Sequence, residues 1–153
     1  CHRHFQEQGI ATDRIDLVGR SPRSELLAQY GQIDIALDPF PFPGGVTTCE
    51  ALWMGVPVIT LAGTTLLSRG GVSLLSNVGM PELIAGSREH YVELAVQLSR
   101  EVDRLATLRE GLRARGAASP LCDASTFTRE LERAYRTMWR SWCVQGRSEL
   151  TKG

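Results

Sequence analysis

Lysine is nearly absent from this chain. Of its 17 Lys and Arg residues 16 are Arg, and the only Lys is Lys152, so any anion contact or proton transfer that needs a lysine must come from elsewhere. Excess charge is absent as well: 17 basic and 17 acidic residues give a net charge of zero, which removes the global footprint of a nucleic-acid binder or of a protein drawn to an anionic membrane. No stretch approaches the roughly 18 apolar residues of a membrane span. The start, Cys1-His2-Arg3-His4, has no apolar signal-peptide core. A cytoplasmic protein with no membrane and no nucleic-acid partner is expected. The four cysteines, Cys1, Cys49, Cys122 and Cys143, form neither a C-x-x-C pair nor a dense disulfide spacing, and are read as reduced thiols. His2, His4 and His90 make no metal-ligand or catalytic pattern and are read as surface polar residues.

What is present is ordinary for a globular domain: 153 residues, 42% hydrophobic and 22% charged, enough to bury roughly 70% of the unfolded surface in one core. The first half alternates short apolar runs with helical patterns, the signature of an α/β fold with a parallel sheet and flanking helices. Strands are expected at 14–19, 33–38 and 56–61. Ser21 suits an N-cap and Pro22 a first helical position for a helix reaching about Tyr30. A second helix is expected over 47–54. Pro57 sits at the beginning of the third strand, where a missing N–H is tolerable.

The second half is helical. A helix over 66–78 is broken at Gly70 and Gly71, and a short turn at Met80, Pro81 and Glu82 leads to Ile84. From Tyr91 through Leu94, Leu98, Val102, Leu105, Leu108 to Leu112, apolar residues recur at three- or four-residue steps, on one long helix or two in series. After Ser119 and Pro120, a last helix carries Phe127, Leu131, Tyr135, Met138 and Trp142 on one face. Core packing is the expectation for both stripes, and from Val144 the tail is expected to fray. Three parallel strands make a thin sheet for so many helices, which together with Cys at position 1 suggests that the chain begins inside a domain.

The most informative loop, Pro39-Phe40-Pro41-Phe42-Pro43-Gly44-Gly45, leaves the carboxyl end of the second strand, where ligands bind in open α/β sheets. It feeds Val46-Thr47-Thr48-Cys49-Glu50. Glycines let a ligand approach the backbone, and the free N–H groups and hydroxyls of a helix start offer donors to a diphosphate. Glu50, one turn on, would accept hydrogen bonds from ribose hydroxyls. The same letters also spell a capping box, with Thr47 or Thr48 as cap and Glu50 closing the box from Thr47. Cys49, among apolar neighbours, is read as buried packing.

The segment GGVTTCEALWMGVPVITL (44–61), with DPFPFPGG before it and SRGGVSLLSNVGMPELIA after it, resembles the O-linked N-acetylglucosamine transferase family, glycosyltransferase family 41, in its bacterial tetratricopeptide-linked form. The likeness runs from Asp13 to about Trp142. It implies the C-terminal half of a two-domain GT-B fold: residues 1–143 as an N-terminally truncated nucleotide-sugar-binding domain, and 144–153 as a polar tail. By that resemblance Ser21 and Arg23 meet the uracil and ribose, Gly44, Gly45, Val46, Thr47 and Thr48 the pyrophosphate, and Glu50 the ribose hydroxyls. Arg69 matches a family position without an assigned role. The implied chemistry passes N-acetylglucosamine, or a related sugar, from UDP to protein Ser or Thr hydroxyls, with no metal and no cofactor. The partners are the UDP-sugar and a protein acceptor. The family's phosphate-contacting lysine, its general base, the other GT-B half and the helical repeats lie upstream, so no catalytic residue is assigned here and the isolated chain is expected to be inactive. Two departures stand out: Val46 replaces the family's first Thr, and Pro43 a frequent Asn. A non-catalytic nucleotide-sugar-binding module, a GT-B enzyme acting on glycans or lipids, and the GT-B-like epimerases are the alternatives, and the upstream sequence discriminates the first of these from the transferase.

Overall fold

The structure, a computed structural model, describes residues 2–150, the side chains of 146–150 excepted. Cys1 and Lys152, both singled out above, lie outside the described residues.

The buried heart is the run Val56 to Thr60, whose β-branched residues suit a strand covered on both faces. Strand β2 (Val58–Leu61) is central, flanked in parallel by β1 (Ala36–Leu37) and β3 (Ile84–Ala85), in the order β1-β2-β3. Ala36 lies opposite Val58, and Thr60 opposite Ile84. Between β1 and β2 runs helix α3 (Val46–Trp53), and between β2 and β3 runs α4 (Gly70–Asn77), so each is a crossover of a parallel unit. Before the sheet come α1 (His2–Glu7) and α2 (Arg23–Gln29); after it come α5 (Arg88–Arg100), α6 (Val102–Ala117) and α7 (Ala124–Leu150). The expected α/β class with a parallel sheet holds.

One expected strand does not form. Thr12–Arg14 is a 3-10 turn and the chain beyond it is unpaired, with Leu17 55% and Val18 66% exposed. An apolar run becomes a strand only beside a partner, and among the described residues the free edge of β1 supplies none to 14–19. The third strand is instead β3, whose two residues follow the Pro81–Leu83 turn and are too few to show alternation.

Helix α3 stops where a backbone requirement stops it. Gly55 has φ +82°, the left-handed region, and the N–H of Val56 closes onto the carbonyl of Ala51 at 2.8 Å. A Cβ at Gly55 would also sit 2.8 Å from the carbonyl oxygen of Arg109 on α6. Arg109 fastens that helix to the sheet's edge, donating to the carbonyls of Ile33 (2.7 Å) and Tyr30 (3.0 Å).

Helices α5 and α6 part at Glu101, and their stripe is core, with Tyr91, Leu98, Leu108 and Leu112 buried. Val102, at the break, is exposed. The stripe of α7 departs from expectation: Phe127, Tyr135, Met138 and Trp142 are each more than half exposed, and Leu131 is 40% exposed. Periodicity shows that a helix has an apolar face, not what covers it, and α7 meets the body chiefly at the Pro120–Cys122 turn. Its backbone stays helical through Val144 to Leu150, where a frayed tail was expected.

Candidate functional site

The chain leaves β1 at Asp38, a carboxylate only 4% exposed. Its Oδ1 accepts the backbone N–H of Gly44 (2.8 Å) and the hydroxyl of Thr48 (3.0 Å), while Oδ2 accepts the hydroxyl of Thr60 (2.9 Å) on β2. The Asp38 N–H donates to the Ile59 carbonyl at 2.9 Å, and its carbonyl accepts the phenol of Tyr91 at 2.9 Å. Burial pushes the Tyr91 phenol above its ordinary value, and the Asp38 charge adds to that. Phe40 stands edge-on to Tyr91, ring centroids 5.5 Å apart, with the Arg88 guanidinium over its face.

This anchoring folds the 38–45 loop into a turn that delivers the first residues of α3 at the carboxyl edge of the sheet. Gly44 is required there, because a Cβ would lie 2.5 Å from the Thr48 hydroxyl and 2.6 Å from that of Thr47. Thr48 faces inward and is 3% exposed; Thr47 and Val46 face out. The first-turn N–H groups have no intrahelical acceptor by geometry and carry the positive end of the helix dipole. Thr47 is further held by Tyr30, whose phenol donates to the Thr47 carbonyl at 3.2 Å. The Tyr30 phenol is raised by burial and, secondarily, by the Glu50 charge. Tyr30, Asp38, Thr47 and Thr48 also line an open pocket of about 120 Å³.

The capping-box alternative fails. The N-cap of α3 is Gly45, with no side-chain cap. Glu50, its side chain 13% exposed, turns instead to Arg23, whose guanidinium is 3.0 Å from Oε1. Ser21 does not cap α2 either: the helix begins at Arg23 with Pro22 as cap, one residue later than expected, and the Ser21 hydroxyl is buried without a hydrogen-bond partner among the described residues. The structure therefore brings Arg23 to Glu50, and Gly44 and Thr48 to Asp38.

Sequence reasoning missed Asp38, Tyr30 and Tyr91. The available signal was a carboxylate closing an apolar strand immediately before a glycine-bearing loop. Cys49, expected buried, is exposed; partial burial still pushes its thiol up, with Cys122 and Glu50 adding to the effect. Arg69 donates to the Gly63 carbonyl at 3.1 Å, a loop-fastening contact. Cys49, Cys122 and Cys143 are free thiols. His90 accepts the Gly86 N–H in the first turn of α5. Among the described residues no cluster of His, Cys, Asp and Glu could hold a metal ion, and no helix is long and apolar enough to cross a membrane.

A parallel sheet whose carboxyl edge presents a glycine turn, a helix start and a flanking Arg–Glu pair defines a Rossmann-like α/β unit, the architecture of the C-terminal half of GT-B transferases. The sequence profile of glycosyl transferase family 41 matches residues 1–131, and the chain belongs to that family. A Petunia hybrida protein named as the probable UDP-N-acetylglucosamine–peptide N-acetylglucosaminyltransferase SPINDLY is 45% identical over 140 residues, 91% of this chain and 15% of the petunia protein. A UDP-N-acetylglucosamine–peptide N-acetylglucosaminyltransferase of Caenorhabditis elegans is 30% identical over 140 residues, 92% of this chain and 12% of its own length. The solved structure of a mutant O-GlcNAc transferase from Thermobaculum terrenum superposes with a TM-score of 0.87 at 43% identity, over 95% of this chain and 28% of that one. The chain thus spans less than a third of each of these relatives.

Proposed function

We propose that this chain is the donor-nucleotide side of a cytoplasmic glycosyltransferase that passes N-acetylglucosamine, or a related sugar, from UDP to Ser and Thr hydroxyls of acceptor proteins. The observation that carries the reading is the turn fixed by Asp38, which aims the start of α3 outward beside the Arg23–Glu50 pair. In it the N–H groups of Gly45, Val46, Thr47 and Thr48, with the Thr47 hydroxyl, take the pyrophosphate. Thr48 contributes through its backbone, since its hydroxyl is given to Asp38. A carboxylate has room for about four hydrogen bonds, so Glu50 can hold Arg23 and still accept ribose hydroxyls. Ser21 and Arg23 lie toward the base.

The reaction is attack of an acceptor hydroxyl on the anomeric carbon, with cleavage of the bond from that carbon to the UDP oxygen. Charge develops on the departing diphosphate, and fixed N–H donors aimed at it stabilise the transition state more than the ground state. The proton acceptor, a phosphate-contacting lysine, the second GT-B half and the repeats that choose acceptors belong to chain outside these residues. Residues 1–143 form the nucleotide-sugar unit in this scheme.

Calorimetric titration of UDP and pyrophosphate against variants of the full-length protein tests it. Glu50→Ala weakens UDP roughly tenfold to a hundredfold, the worth of a charged acceptor on hydroxyls. It weakens pyrophosphate far less, because removing the carboxylate removes a repulsion and frees the Arg23 guanidinium. Thr47→Ala weakens both ligands. Equal loss of both on Glu50→Ala overturns the ribose assignment.

A further inference from the structure

We infer that Asp38 is the positioning residue of the diphosphate cradle, sorting the donors of the 44–48 turn into an inner set that it consumes and an outer set left for ligand. This rests on the proposal that the turn binds a nucleoside diphosphate. Asp38 gathers three donors from three separate elements: Gly44 from the loop, Thr48 from α3 and Thr60 from β2. Its main chain is pinned as well, to Ile59 on β2 and to Tyr91 on α5. No Arg, Lys or His among the described residues forms an ion pair with it. Its direct partners are these hydrogen-bond donors, with the positive end of α3 beside them. The packing is shaped around it. At Gly71 of α4 a Cβ would stand 2.5 Å from Oδ2, and at Gly44 one would stand 3.1 Å from Oδ1.

A carboxylate kept only for stability is an unfavourable choice, since buried ionic groups are often replaceable by apolar ones at no loss. A group that accepts from both ends of a glycine turn does something an apolar side chain cannot. It fixes the rotation of the first turn of α3 about the sheet edge. With the Gly44 N–H and the Thr48 hydroxyl held by Asp38, the N–H groups of Gly45, Val46, Thr47 and Thr48 are the donors left for a diphosphate.

The test uses the full-length protein with UDP, pyrophosphate and uridine as probes, read by calorimetry and ligand-detected NMR. Asp38→Ala should weaken UDP and pyrophosphate on the order of tenfold or more, with uridine unchanged. Asp38→Asn should restore both nearly to wild type, because its amide oxygen still accepts from Gly44 and Thr48 and its NH2 can donate to the Thr60 oxygen. Proportional loss of uridine and UDP on Asp38→Ala would indicate a general structural role and overturn the inference, as would unchanged UDP affinity. Should Asp38→Ala fail to fold, the isosteric Thr48→Val removes one donor: loss of pyrophosphate affinity with uridine intact supports the inference, and unaltered pyrophosphate affinity overturns it. Wild-type protein that binds neither UDP nor pyrophosphate overturns the nucleotide proposal itself, and this inference with it.

Discussion

Gly71→Ala measures how tightly the buried carboxylate is built into the fold. In a free helix the change stabilises by roughly 0.5–1 kcal/mol, because alanine loses less backbone entropy. At this position in α4 the new Cβ falls onto the Thr60 hydroxyl, 2.8 Å from the Thr60 Cβ and 2.5 Å from Oδ2 of Asp38. Both neighbours are buried, at 1% and 4% exposure, so neither can swing into solvent. Overpacking of this kind costs about 1–3 kcal/mol. Displacing the Thr60 hydroxyl from Asp38 adds about 1–3 kcal/mol for a buried acceptor left unsatisfied. After the helical gain the net loss centres near 3 kcal/mol, a Tm lower by about 6–12 °C for a domain of this size. Gly111→Ala on α6, where nothing lies within 4 Å of the added Cβ, supplies the control and should raise Tm by about 1–4 °C. Thermal and urea unfolding of the pair decide the matter. A Gly71→Ala protein as stable as wild type, beside a stabilised Gly111→Ala, would refute the packing described around Asp38.

Arg109→Ala should cost about 1–3 kcal/mol in urea unfolding, since two charge-assisted hydrogen bonds to the Tyr30 and Ile33 carbonyls are lost; Arg109→Lys should not restore it, because one ammonium lacks the planar fork that reaches both. The raised Tyr91 phenol keeps its proton longer folded than unfolded, so its contribution is complete below the ordinary value of 10.0 and is lost as pH rises through the folded value. Unfolding measured from pH 8 upward should therefore show declining stability above about pH 10, and Tyr91→Phe should flatten that decline; an equal slope in the variant would disprove it. The exposed aromatic face of α7, on which Trp139 stacks against Trp142 with ring centroids 5.3 Å apart, should make the 153-residue chain self-associate on concentration, and Trp139→Glu with Trp142→Glu should shift its sedimentation toward monomer.

Much of the fold was legible because its signals are local. The apolar run of β2, the helix after the glycine turn, the break at Gly70 and the buried stripe of α5 and α6 each depend on residues a few positions apart. The failures share a cause of the opposite kind. Residues 14–19 have a strand's composition but lack a neighbour, and a strand is a property of a pair. The stripe of α7 has the same periodicity as the stripe of α6, yet Leu112 is 2% exposed and Trp142 64%. The difference lies in what stands opposite each helix, which no window of sequence contains.

The site shows the same division more sharply. The proposed cradle at Gly44 to Glu50 can be read from sequence because binding a diphosphate there would need glycine, a helix start and hydroxyls in succession, and those occupy one short stretch. The residue that holds the stretch in place is joined to it across sequence separations of 6 and 10, and to β2 across 22. Tyr91 reaches it across 53. The competing capping box was written in the very same letters, with Thr47 and Glu50 three apart as a box requires. What removes it is that α3 begins at Val46 with Gly45 as its N-cap, so Thr47 lies inside the helix, while Arg23, 27 positions before Glu50 and on another helix, holds the carboxylate and Asp38 holds the Thr48 hydroxyl. These partners are ones that only the fold brings near, and they leave the first-turn N–H groups of α3 without a side-chain cap, which is what the proposed anion site needs.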